Sequence, residues 1–212
     1  MKATALVVAH GACEIEFVRR LDRLLRVPIP VSSRRDGGET VSVKGIRGYL
    51  ESPPFRTVRE FRGAFPIVGS SYTDGRLLED FRIFPVLDID GDTMSRRAYI
   101  TGSIFDGMDS ELRDIIVPIY NDPNLDEVMA ELGYGRPGIK KTRSYTVMCD
   151  AMTDPLELYR SLERCDSTNM EVLLRHIMSR KPEYQSRLRC PHPGVFEPHT
   201  PGAYSFFIDT IP

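Results

Sequence analysis

The sequence has no excess of charge of one sign: 28 Lys and Arg stand against 30 Asp and Glu, a formal net charge of −2. That balance excludes the global basic field of many dedicated nucleic-acid binders, so any nucleic acid would have to be held by local patches or through a bound metal. The four cysteines, Cys13, Cys149, Cys165 and Cys190, show no CxxC spacing. The first residues show no basic start followed by an apolar stretch and a small-residue cleavage site. The cysteines therefore read as free thiols in a reducing cytoplasm, the expected location. No stretch approaches the roughly twenty apolar residues of a membrane-spanning helix, so no membrane partner is expected. No internal repeat is visible. With 212 residues and 41% hydrophobic content, one sizeable core is the expectation.

What is present alternates between strand and helix signals. Ala3–Ala9 is an apolar, β-branched run that reads as a buried strand, and Gly11 follows where a tight turn feeds a helix from Cys13 to Arg26. Val27–Ser33 reads as a second strand, ended by the basic, glycine-containing loop Arg34–Gly38, whose composition suits phosphate or plain solvent. Val43–Glu51 and Phe55–Phe65 are expected helices, separated by Ser52-Pro53-Pro54. Phe81–Leu87 is the strongest strand signal, with Pro85 as an objection because it removes a ladder donor. A helix at Met94–Phe105, a strand at Ile115–Tyr120 and a helix at Asn124–Leu132 follow. Ser144–Met148 reads as an edge strand, and helices are expected from Asp154 to about Cys165 and from Asn169 to Tyr184. The tail from Cys190 is rich in proline and glycine and reads as an irregular strap or a mobile end. This order predicts an α/β domain over residues 1–150 with a mainly parallel sheet, and helices over 151–212 packed on the same domain. Ala3–Ala9 and Phe81–Leu87 are expected to be adjacent or one strand apart.

Asp88-Ile89-Asp90-Gly91-Asp92 is the most specific chemical feature, because an apolar strand delivers it to the edge where open parallel sheets bind ligands. Alternation puts Asp88 and Asp90 on one side, where the two carboxylates repel unless a cation lies between them. Oxygen ligands of this kind suit Mg²⁺ or Mn²⁺. An acidic turn is the alternative, since Asp and Gly both favour turns. The second constellation is His10-Gly11-Ala12-Cys13-Glu14. Glu14 belongs to the first turn of the helix, either as a plain helix-start carboxylate or pointing to the same edge as the acidic pair. Asn121, Asp126 and Glu127 stand at a neighbouring strand end, as helix caps or as support for the site.

These two motifs resemble the layout of a Toprim domain, in which an acidic residue and a glycine follow the first strand and Asp-x-Asp follows a later one. In the OLD (overcoming lysogenization defect) family of nucleases the first motif is Glu-Gly-x-x-Glu, to which His10-Gly11-Ala12-Cys13-Glu14 is similar. The segment Ile116–Glu127 resembles the following strand and polar helix start of related defence-type proteins. The likeness covers roughly Ala3 to Gly133, and His10 departs from it by standing where the family carries glutamate. The resemblance implies a Toprim-like fold with a C-terminal helical extension and phosphodiester hydrolysis on nucleic acid with Mg²⁺ or Mn²⁺. Asp88, Asp90 and Glu14 would hold metal, His10 would serve as acid or base, Asp92 would assist, and Lys140 with Lys141 would offset developing charge, the alternative for that pair being a solvated basic loop.

Two other readings stand beside it. Val86–Gly91 is similar to the first motif of haloacid-dehalogenase-type phosphotransferases, with Asp88 as nucleophile, although Asp92 stands where threonine normally follows the glycine. A Toprim-like shell without its first glutamate is alternatively a binding or sensor module with a protein partner. Cys190, His192 and His199 match no familiar tetrahedral zinc set.

Overall fold

A computed structural model describes residues 3–66, 72–73, 76–77, 81–134, 147–148 and 150–188. In chain order its strands are β1 (Ala5–Ala9), β2 (Val31–Ser32), β3 (Tyr72–Thr73), β4 (Arg76–Leu77), β5 (Arg82–Asp88) and β6 (Ile119–Asn121). The helices are α1 (Ala12–Leu25), α2 (Val43–Leu50), α3 (Val58–Ala64), α4 (Thr93–Ile100), α5 (Leu125–Glu131), α6 (Pro155–Leu162), α7 (Glu171–Met178) and α8 (Pro182–Gln185). The molecule is an α/β fold whose central sheet has the order β2-β1-β5-β6, with every pairing parallel. β3 and β4 form a separate antiparallel pair. The two strongest strand signals in the sequence are thus direct neighbours, in register from Ala5 with Arg82 to Ala9 with Val86.

Both strands are apolar at nearly every position because helices cover both faces of the sheet. Ala5, Val7, Phe84 and Val86 point into a core shared with α1, α5, α6 and α7. Leu6, Val8, Ile83 and Leu87 point into a second core shared with α2, α3 and α4. Strand alternation produces this division and carries it to the strand end: Asp88 continues the face of Phe84 and Val86, and Ile89 continues the other.

Pro85 sits in the interior strand β5, opposite Val8. The fully buried Tyr99 of α4 adds a hydroxyl there, 2.7 Å from the Pro85 carbonyl oxygen and 3.1 Å from that of Ile119. One proton serves one of these acceptors at a time. Burial holds the phenol well above its ordinary pKa, so it remains a donor.

Several sequence expectations are shortened or replaced. The strand expected over Val27–Ser33 is only Val31–Ser32, and that over Ile115–Tyr120 begins at Ile119 after a 3-10 turn at Arg113–Ile115. The helix expected over Met94–Phe105 ends at Ile100, before Gly102 at φ 74°. Val147 and Met148 are helical rather than extended, while 144–146 lie outside the described residues. The helix expected over Asn169–Tyr184 is divided, because Pro182 cannot donate into a continuing helix and instead starts α8. Its first residues are drawn into the sheet edge. The Asn169 amide accepts from Tyr120 N at 2.8 Å and donates to Pro118 O at 3.0 Å, and Asp122 N donates to Ser167 O at 2.8 Å. Residues 167–169 thereby cover the exposed side of β6. Among the described residues no helix is long and apolar enough to cross a membrane. The tail from Cys190 lies outside the described residues.

Candidate acidic site at the carboxyl edge of the sheet

β1 and β5 end side by side. His10 N donates to Val86 O at 3.0 Å, which ties the residue after β1 to β5, and His10 Nε2 comes within 4.0 Å of Asp88 Oδ2. Gly11, in extended backbone, then caps α1, and its N–H donates to Glu14 Oε2 at 2.8 Å. That bond turns the Glu14 side chain back toward the strand ends and leaves it only 2% exposed. Burial, and next the negative Asp88, push the Glu14 carboxyl up to about 7.

Asp88 is half-buried on the α5 side. Its Oδ1 accepts from Leu125 N at 3.1 Å and from Asn121 Nδ2 at 3.5 Å, so Oδ2 is the oxygen left facing His10. Burial raises its pKa and Asp90 adds to the rise, against the lowering effect of His10 and the two hydrogen bonds. Asn121 is fully buried and has its amide orientation fixed: Oδ1 stands 3.1 Å from the Thr168 hydroxyl, which directs Nδ2 at Asp88. Thr168 Oγ1 also lies 2.7 Å from Tyr120 O and accepts from Met170 N at 3.2 Å.

A third carboxylate stands nearby on α5. Cys13 Sγ donates to Asp126 Oδ1 at 3.4 Å, and burial, followed by the charges of Glu14 and Asp126, pushes the thiol well above its ordinary range. Cys13 is therefore a protonated donor, not a nucleophile. Among the described residues Cys13 and Cys165 are free thiols.

Asp90 lies beyond the end of β5 and is exposed. Asp92 turns to the rim. It caps α4 by accepting from Ser95 N and Ser95 Oγ, each at 3.0 Å, and its Oδ2 stands 3.0 Å from Lys44 Nζ. The Ser95 backbone bond first, and Lys44 next, hold its carboxyl well below the usual range. Asn124 likewise caps α5 through Glu127 N. Lys140 and Lys141 lie outside the described residues, as do Cys190, His192 and His199.

The structure therefore brings His10, Glu14 and Asp88 together, keeps Asp90 at their margin and engages Asp92 elsewhere. Thr168 and the Cys13–Asp126 contact were not legible in the sequence. Their partners are 47 and 113 residues away, and no local pattern marks either.

Among the described residues no group of three or more His, Cys, Asp and Glu stands ready-made as a metal cage. Glu14 Oε2 accepts from Gly11 N, and Asp88 Oδ1 from Leu125 N while its Oδ2 faces His10. Such a set fits a water-rich Mg²⁺ better than an all-protein cage, and adding the His10 imidazole suits Mn²⁺. Models of known families, curated proteins and solved structures were each compared with the chain without a match, so the reading of this edge rests on its own geometry.

Proposed function

We propose that the chain is a divergent Toprim-like phosphodiesterase that acts on nucleic acid with Mg²⁺ or Mn²⁺ at the carboxyl edge of β1 and β5. The observation that carries this reading is the meeting of His10, Glu14 and Asp88 at two adjacent strand ends, with both carboxyls pushed up for want of water and of positive charge. A cation there removes both deficits. Asp88 and Glu14 would hold it, with Asp90 at the open side. When bound, it would polarise a phosphate and lower the pKa of an attacking water. His10 lies beside Asp88 and serves as acid or base toward that water or the leaving oxygen. Asn121 and Leu125 N fix the Asp88 carboxylate so that one oxygen faces His10. Lys140 is retained as the group that would balance developing charge.

A second reading is a binding or sensor module with a protein partner, favoured by His10 standing where the resembled nucleases carry glutamate. Melting and cleavage measurements separate the two. Mn²⁺ should raise the melting temperature of the wild type by mass action, and Asp88→Asn with Asp90→Asn should abolish the rise without lowering metal-free stability. His10→Glu should strengthen the response to Mg²⁺. Incubation with DNA or RNA should give metal-dependent cleavage. A wild type without any metal-dependent rise overturns the proposal. Metal binding without cleavage favours the binding module, and turnover of a phosphomonoester through a phosphoaspartate at Asp88 favours the phosphotransferase.

A further inference from the structure

The rim beside the acidic edge holds a second arrangement. β1 and β2 are paired at Val7 with Val31 and at Val8 with Ser32, so Arg34, two residues on in extended backbone, emerges level with His10. The Arg34 guanidinium carbon lies 5.7 Å from the centre of the Tyr49 ring. Tyr49 is itself fixed, its hydroxyl 2.8 Å from Ser32 Oγ and its ring centre 5.5 Å from that of Phe55. A guanidinium stacked in this way has lost much of its freedom before a ligand arrives, while its N–H fork stays available.

The loop that carries Arg34 is pinned, not loose. Gly37 has φ +85°, and a Cβ there would lie 2.7 Å from Ile15 Cδ1 and 3.2 Å from the Ala12 backbone, so the loop packs against the first turn of α1. On its other side, Arg34 Nη2 would be 3.8 Å from a Cβ placed on Gly45. Lys44, the residue before Gly45, reaches Asp92 at the acidic loop.

Neighbouring arginines are matched with carboxylates: Arg35 with Glu39 at 2.7 Å, Arg47 with Glu51 at 3.0 Å, and Arg96 with Asp122. Among the described residues Arg34 has no carboxylate partner, although it is partly buried. A stacked, partly buried cation with no carboxylate partner among the described residues matches a ligand that brings its own negative charge.

We propose that Arg34, assisted by Lys44, is a phosphate clasp that seats one backbone phosphate of a nucleic-acid strand beside the Asp88 edge. Lys44 is released from Asp92 for this purpose at little cost, because exposed ion pairs contribute little. The clasp rests on the phosphodiesterase reading only for the identity of the strand, and it requires no metal.

The test is fluorescence anisotropy of a short labelled oligothymidylate in EDTA over a range of salt concentrations. Arg34→Gln should weaken binding by about tenfold or more and lower the slope of log K against log salt by about 0.7, one phosphate of a single strand. Arg34→Lys should restore part of the affinity, and Tyr49→Leu should weaken binding with the charge intact. Arg160→Gln on α6 makes the same change in net charge and should bind as the wild type does. A neutral methylphosphonate oligomer should show no dependence on Arg34. Equal losses in Arg34→Gln and Arg160→Gln, absence of binding by the wild type, or an Arg34 effect that persists with the neutral backbone would each overturn the clasp. Because EDTA removes metal, failure here leaves the melting response to Mn²⁺ intact, and failure of that response leaves an Arg34-dependent affinity intact.

Discussion

Asp88 and Asp92 are four residues apart on one acidic turn, yet their surroundings drive them in opposite directions. Asp88 ends a buried strand, loses water and faces further negative charge, so its proton is held more tightly than usual. Asp92 is exposed, accepts from Ser95 and pairs with Lys44, so its proton is held less tightly. The same residue type in one motif thus yields an inner carboxyl short of positive charge and an outer carboxyl already paired with Lys44. Ionic chemistry belongs to the first, and helix capping to the second.

The largest test of that contrast is Glu14→Gln. The Glu14 carboxyl is raised from 4.5 to about 7, so the folded state binds its proton more tightly than the unfolded chain does. Its contribution is most favourable below 4.5 and is lost as pH rises to about 7. Glutamine removes this penalty and keeps an acceptor for Gly11 N. The variant should be more stable than the wild type above neutrality by an amount on the order of 3 kcal/mol, shrinking to nothing in acid. Urea unfolding across pH measures it, and identical curves for the two proteins above neutrality would remove the electrostatic strain from the pocket.

A smaller effect is expected from Thr168→Val. Removing the hydroxyl leaves the buried Asn121 Oδ1 and Met170 N without their partner, a loss of about 1 kcal/mol or somewhat more. A purely structural role predicts nothing further. The positioning role predicts that the Asp88 pKa, followed by carbon NMR, rises as the Asn121 amide loses its aim, and that Thr168→Ser restores it.

Much of this fold was visible in the chain, because β1 and β5 are continuous apolar runs that only a doubly covered strand explains. The cap at Asn124 and the turn at Gly11 were visible for equally local reasons. The edge cover at 167–169 was not: Asn169 reads as the start of the helix that contains α7, and only its bonds to Tyr120 N and Pro118 O hold it out of that helix. The convergence of His10, Glu14 and Asp88 followed from strand order. The division of labour between Asp88 and Asp92 did not, since it depends on Lys44 and on how deeply each carboxyl is set. The Asp92-x-x-Ser95 spacing is a capping signal that the acidic pattern overshadowed.

The smallest effect belongs to the rim. Asp92→Asn keeps a capping side chain and loses the Lys44 pair, so melting near neutrality should change less than in Thr168→Val. Its sign is opposite to that of Glu14. A lowered carboxyl stabilises above its unfolded value and loses that contribution as pH falls through the folded one, so the variant and the wild type should converge in acid. The difference should also fade with added salt. A larger loss than that of Thr168→Val would place Asp92 with the inner pocket after all.

The bond from Gly11 N–H to Glu14 gives the molecule a built-in indicator. Whatever claims the Glu14 carboxylate, a proton or a cation, must negotiate with the amide that already holds it. The Gly11 nitrogen and proton resonances are therefore a single-residue gauge of events at the strand ends, readable by isotope labelling in intact protein without chromophore or substrate. Glycine peaks fall in an uncrowded part of such spectra, so one titration with acid and one with the diamagnetic Mg²⁺ would calibrate the gauge at both of its settings.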